Sequence, residues 1–190
     1  MLKIQEVLCT KHIVLALLGL VVLSGCSSFE LKLKNMVPEN ISEGNRLGET
    51  ACINISGEGV TDPAEWWYTG IEFPPSMFAH AIDISLVEAG LFDRIIDCDA
   101  NPQYHLDVFL IHVEGKPGVT RFSSSYGTVV ARWKLTNRTN EDILLDEEIR
   151  GRFVLRSSGD PGRALRAVEG AASDNIMQGL TYISALKIEN

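Results

Sequence analysis

Between Tyr104 and Arg156 the chain holds three strand-like runs in succession, "YHLDVFLIHV", "SYGTVVARWKLTN" and "ILLDEEIRGRFVLR". Short turns separate them, Gly115-Lys116-Pro117-Gly118 and then "TNRTNED". Runs joined in this way read as an antiparallel meander. The first is apolar on both faces, as a central strand is. The second alternates: Val129, Ala131, Trp133 and Leu135 face inward while Thr128, Arg132 and Lys134 face out. One face of such a sheet must be covered by other elements.

Two amphipathic helices are available to cover it. "SMFAHAIDISLVEAG" spaces Phe78, Ile82, Leu86 and Ala89 at helical intervals. Pro75 suits the first helical position and Gly90 suits the end. Leu91-Phe92 then returns to the core. Asp160-Pro161 opens the second helix, whose stripe is Leu165, Val168, Ala172, Ile176, Leu180 and Ile183. Small Ala171, Ala172 and Gly179 let it lie close to a sheet. "TACINIS" adds a strand before the first helix, and "EWWYTGIEF" a short one after it in the same loop region. The expected fold is α+β, an antiparallel sheet of about four strands with two helices packed on one face.

The amino terminus is of another kind. Lys3, Lys11 and His12 precede the apolar run "IVLALLGLVVL", which is a secretory signal pattern. The run is too short to span roughly 30 Å of hydrocarbon, which needs about 20 residues. Leu23-Ser24-Gly25-Cys26 follows and resembles the bacterial lipobox. That resemblance implies cleavage before Cys26, diacylglycerol on its thiol and acylation of the new amino terminus. Three acyl chains hold a protein on a bilayer where one is marginal. Ser27 after the cysteine implies passage to the outer membrane, facing the periplasm, with inner-membrane anchoring as the alternative. The expected organisation is signal peptide 1–25, lipidated tether 26–48 and one domain 49–190. "FELKLKNMV" within the tether has the look of a short strand. Fully extended, the 22 residues of Ser27–Gly48 would reach roughly 70 Å, enough to hold the domain clear of the membrane.

Charge narrows the partners. The chain carries 17 basic and 25 acidic residues; loss of Lys3, Lys11 and Glu6 with the signal leaves 15 and 24, net −9. Arg150, Arg152, Arg156, Arg163 and Arg166 are spread rather than clustered. A nucleic-acid ligand is not expected.

With Cys9 removed and Cys26 lipidated, Cys52 and Cys98 remain. An oxidising compartment favours their pairing, and closing a loop of roughly 47 residues stabilises by about 4 kcal/mol in the chain-entropy model. Alternation within "TACINIS" puts Cys52 with Asn54, so a disulfide has to lie on the strand's outer side or at its end. Two unpaired cysteines are the alternative. No histidine is near either thiol in sequence, and neither metal nor cofactor is expected.

Several stretches are similar to small Gram-negative envelope lipoproteins. They are "WWYTGIEFPPSMFAHAIDISLVEAGLF", "YHLDVFLIHV" with "VVARWKLTN", and "RALRAVEGAASDNIMQGLTYISAL". Together, over roughly residues 50–186, they resemble YajG-like lipoproteins and the auxiliary lipoproteins of ABC-type lipid transport systems. The resemblance implies a periplasm-facing, non-catalytic partner protein and supplies no catalytic residues.

The remaining features are weighed as sites. Trp66-Trp67-Tyr68 is a core or edge cluster, or an exposed grip for a protein or glycan. His105 and Asp107 share a strand face, whereas alternation sends His112 to the opposite one with Tyr104. Converging metal ligation by all three is therefore not expected. Ser123-Ser124-Ser125 lacks a nucleophile elbow, and His80 reads as exposed helix surface. Asp146, Glu147 and Glu148 with the arginines after them suit an edge strand that resists pairing. No Walker, dinucleotide-binding or zincin motif occurs. Two functions remain in play. One is a lipid-anchored interaction or auxiliary protein with an envelope protein partner or a lipid ligand. The other is an envelope acyltransferase or hydrolase, which would need a deep pocket holding His80, His105 or His112 beside a carboxylate or serine.

Overall fold

The computed structural model describes residues 31–41, 46–57, 73–118, 123–156 and 162–186. Cys26, Asp160-Pro161 and the Trp66-Trp67-Tyr68 cluster with its expected strand lie outside them. Strand β1 is Thr50–Ser56, helix α1 Pro75–Ala89, β2 Arg94–Ile95, β3 Tyr104–Lys116, β4 Ser125–Asn137, β5 Asp142–Leu155 and helix α2 Arg163–Ser184.

The α+β class holds, with both helices on one face, but the sheet has five strands in the order β2-β1-β3-β4-β5. It is mixed, not purely antiparallel. Strands β3, β4 and β5 form the expected meander, while β1 runs parallel to both β3 and β2. The reason lies in the connection. A strand, a helix and a strand make a crossover unit, and a crossover is what joins parallel neighbours.

The covered face packs tightly. Trp133, Leu106, Val108 and Leu135 meet Phe78, Ile82, Val168 and Ile176 in one buried cluster. Gly127 and Gly151 let α2 approach β4 and β5: a Cβ at either would run into backbone of α2, at Ala167 or Ala171. Helix α1 starts at Pro75 and stops at Gly90, where φ is 61°, and Leu91 and Phe92 return to the core.

Residues 31–41, which fall in the expected tether, are docked on the domain. Leu31 and Met36 are buried in the core around a 3-10 turn at Leu33–Asn35, where a strand was expected. The Lys32 backbone N–H and the Asn35 amide both donate to the Glu169 carboxylate, at 2.6 and 2.5 Å. The compact unit therefore begins at Leu31 rather than at residue 49. Leu33, Val37, Ile41 and Leu47 pack against the same core, and the two donors of this stretch satisfy the buried Glu169 carboxylate on α2.

Candidate functional site

Among the described residues, no helix covers the second face of the sheet. The outward residues run in rows across the strands: Asn54, Asp107, Lys134 and Asp146, then Ser56, Phe109, Arg132 and Glu148. Phe109 is 50% exposed and Tyr126 53%. Ile111 and Val154 are exposed beside them, so apolar and charged groups share the surface.

At one end of this face sits a disulfide between Cys52 and Cys98, with the Cα atoms 5.1 Å apart. Cys52 lies on the outward side of β1, and Cys98 comes from a 3-10 turn after β2. The register places Cys52 opposite His105, whose Nε2 is 3.8 Å from the Cys98 sulfur. The histidine that sequence distance kept away is thus a direct neighbour. The same Nε2 is 3.4 Å from Asp107 Oδ1, which also accepts from the Asn54 amide at 2.9 Å. The two sulfurs and a ring nitrogen of His105 lie within 4.8 Å of one another. That set would hold a metal only with the disulfide reduced, because the thiolate is the ligand.

His112 is also outward, contrary to the expectation from alternation. A β-bulge falls between Leu110, paired with Ala131, and His112, paired with Val130. One extra residue reverses the parity of everything after it. His105, Asp107 and His112 therefore share a face, but seven positions separate the histidines, about 23 Å at strand rise. They do not converge. Around His112 lies a shallow depression of about 420 Å³, lined also by Tyr126, Thr128, Arg150, Arg152 and Val154.

The electrostatics are local. The Arg132 guanidinium holds Asp146 in a two-pronged pair at 2.6 and 2.8 Å, which keeps the carboxyl below its usual range. Burial, with Glu49 adding to it, raises the Tyr104 phenol. Strand β5 is one of the two sheet edges, and its Asp146–Glu148 run lies there as expected.

The geometry for hydrolysis is dispersed. Ser125 is buried at the start of β4 and accepts from the Gly118 N–H. His105 pairs with Thr136 near the other end of that strand. The eleven intervening steps correspond to about 37 Å. His80 is exposed, and lines a groove of about 920 Å³ beside α1 together with Ser76, Asp83 and Asp97.

Two buried polar groups on α2 were not singled out from sequence. Asn175, fully buried on α2, accepts from the Trp133 indole at 3.0 Å and donates to the Ile149 and Val129 carbonyls. Glu169 is 2% exposed and ties down the amino-terminal segment. Asn175 interrupts the helix's apolar stripe next to Ile176, and that interruption was the available signal.

The fold is similar to that of protein XCC0632 from Xanthomonas campestris, a DUF330 protein. The match has a TM-score of 0.54 over 78% of this chain and 91% of that one, at 13% identity. PelC from Paraburkholderia phytofirmans, a dodecamer, aligns with a TM-score of 0.45 and 17% identity over 79% of this chain and 94% of its own. Lipoprotein GNA1162 from Neisseria meningitidis aligns at 0.36 and 14% over 63% of this chain and 94% of that one. At such identity the likeness to XCC0632 is one of fold. No protein-family model and no curated protein matches the chain.

Proposed function

We propose that this chain is an outer-membrane lipoprotein, anchored through acyl chains on Cys26 and facing the periplasm, that works by binding an envelope protein. The observation that carries the binding role is the sheet face that no described element covers, where Phe109 with Ile111 and, further along the strands, Tyr126 with Val154 stand exposed among charged groups. Apolar patches rimmed by charge are where soluble domains meet partners. The resemblance to YajG-like proteins and to auxiliary lipoproteins of ABC-type lipid transport is in keeping with a non-catalytic component of such a complex. The disulfide beside that face suits an oxidising compartment.

A protein partner is favoured over a carried lipid. The groove beside α1 sets His80, Asp83 and Asp97 among Ile53, Ile55, Ile95 and Ile96, and titratable groups at that density do not suit a site for acyl chains alone. Turnover is not part of the reading: His105 and Asp107 meet on an open sheet with Ser125 at its far end, and His80 lines an open groove with Ser76 and Asp83 without a hydrogen bond to either.

The test is Cys26→Ala. It leaves an uncleaved precursor in the inner membrane and abolishes cross-linking to the envelope partner that the wild type captures. A variant that is processed and fractionates like the wild type contradicts the anchor.

A further inference from the structure

We infer that the corner of the domain around Leu31 rests on the bilayer that holds the acyl chains, with Phe153 and Leu155 against its headgroup layer. The inference rests on Cys26 being the lipidated residue. Acylation fixes Cys26 at the membrane surface, and Leu31 is already buried in the fold. Five residue steps separate the two, a span of about 17 Å at full extension. The unit from Leu31 to Asn190 has 160 residues, for which the radius of gyration is about 15 Å. So short a leash keeps this corner, and not the opposite side of the domain, at the lipid.

The corner has interfacial chemistry. A groove of about 730 Å³ runs beside the Leu33–Asn35 turn, with Lys32, Lys34 and Val37 on one side and Phe153 and Leu155 on the other. Phe153 is 40% exposed and lies over Gly170, where a Cβ would strike its ring. Lys32 and Lys34 are exposed, free to reach lipid phosphate while their stems follow apolar surface. Of the acids in the groove, Glu169 is turned to Lys32 N–H and Asn35, and Asp174 to Arg152 N–H and Gln178. Glu39 is the remaining one.

The test uses the full chain, processed in its native cell and reconstituted in vesicles of phosphatidylethanolamine and phosphatidylglycerol. Hydroxyl-radical labelling of Phe153, Leu33 and Val37 is compared between the wild type and a form with fifteen Gly/Ser residues inserted after Ser28. The wild type is expected to label severalfold less at these positions, with Val87 on α1 equal in both. Equal labelling of Phe153 in the two forms overturns the inference while the anchor stands. An intact mass lacking acyl chains, or failure to float with the vesicles, overturns the anchor and the inference with it.

Discussion

The two faces of the sheet are held by different means. On the covered face, Trp133 is fully buried, its indole bonded to Asn175, and Gly127 and Gly151 bring the helix backbone down onto the strands. On the open face, the strongest constraint is covalent, the Cys52–Cys98 bond, with the Arg132–Asp146 pair further along. Packing makes the first face intolerant of change. The second leaves Phe109 and Tyr126 exposed, where they contribute little to stability and where the proposed partner would bind.

Removing the disulfide tests the open face most severely. Cys52→Ala with Cys98→Ala should lower the unfolding free energy by about 4 kcal/mol for a loop of this length, read from denaturant melts, without altering the helix content of the folded form. On the covered face, Gly151→Val drives a side chain into Ala171 and Asn175 backbone; overpacking of this kind costs about 3 kcal/mol. Thr128→Val, one strand away and outward, should leave the melting temperature unchanged. Asn175→Ala leaves the Trp133 N–H buried without its acceptor, a loss of about 2 kcal/mol, and the tryptophan emission should shift with it.

Asp146 gives the smallest effect. Its carboxyl is depressed by Arg132, so the pair contributes above the unfolded-state value of about 4 and is lost as pH falls through the lower folded value. Asp146→Asn should therefore lower stability slightly at neutral pH, where the pair acts, and leave it unchanged in strong acid, so that this share of the acid limb disappears from the melting curve. An unchanged acid limb would show that the pair does not act in solution.

Much of this contrast was legible in the residues. Alternation assigned Trp133 and Leu135 to the core and Arg132 and Lys134 to the outside, and helical spacing found both helices. What failed was information that lies outside any local window. The parallel pairing of β1 depends on a partner more than fifty residues away. The bulge at Ile111 looks like ordinary alternation until β4 is laid beside it. His105 meets the disulfide only through that long-range register. The docking of Leu31 and Met36 was hidden because they pack into a core built from residues far along the chain, with Glu169 accepting from Lys32 N–H. The open face had a partial signal, since Phe109 and Ile111 were read as the second buried side of a central strand. Strand β3 is central, but nothing among the described residues covers that side.

The central claim is that this open face is the working surface. A photo-reactive side chain placed at Phe109 or Tyr126 in the protein as it stands in its native cell, and at Val87 on α1 as the control, tests it directly. The account predicts one discrete cross-linked envelope protein from the two sheet positions and none from Val87. Cross-linking from Val87 alone, or equally from all three, would contradict it.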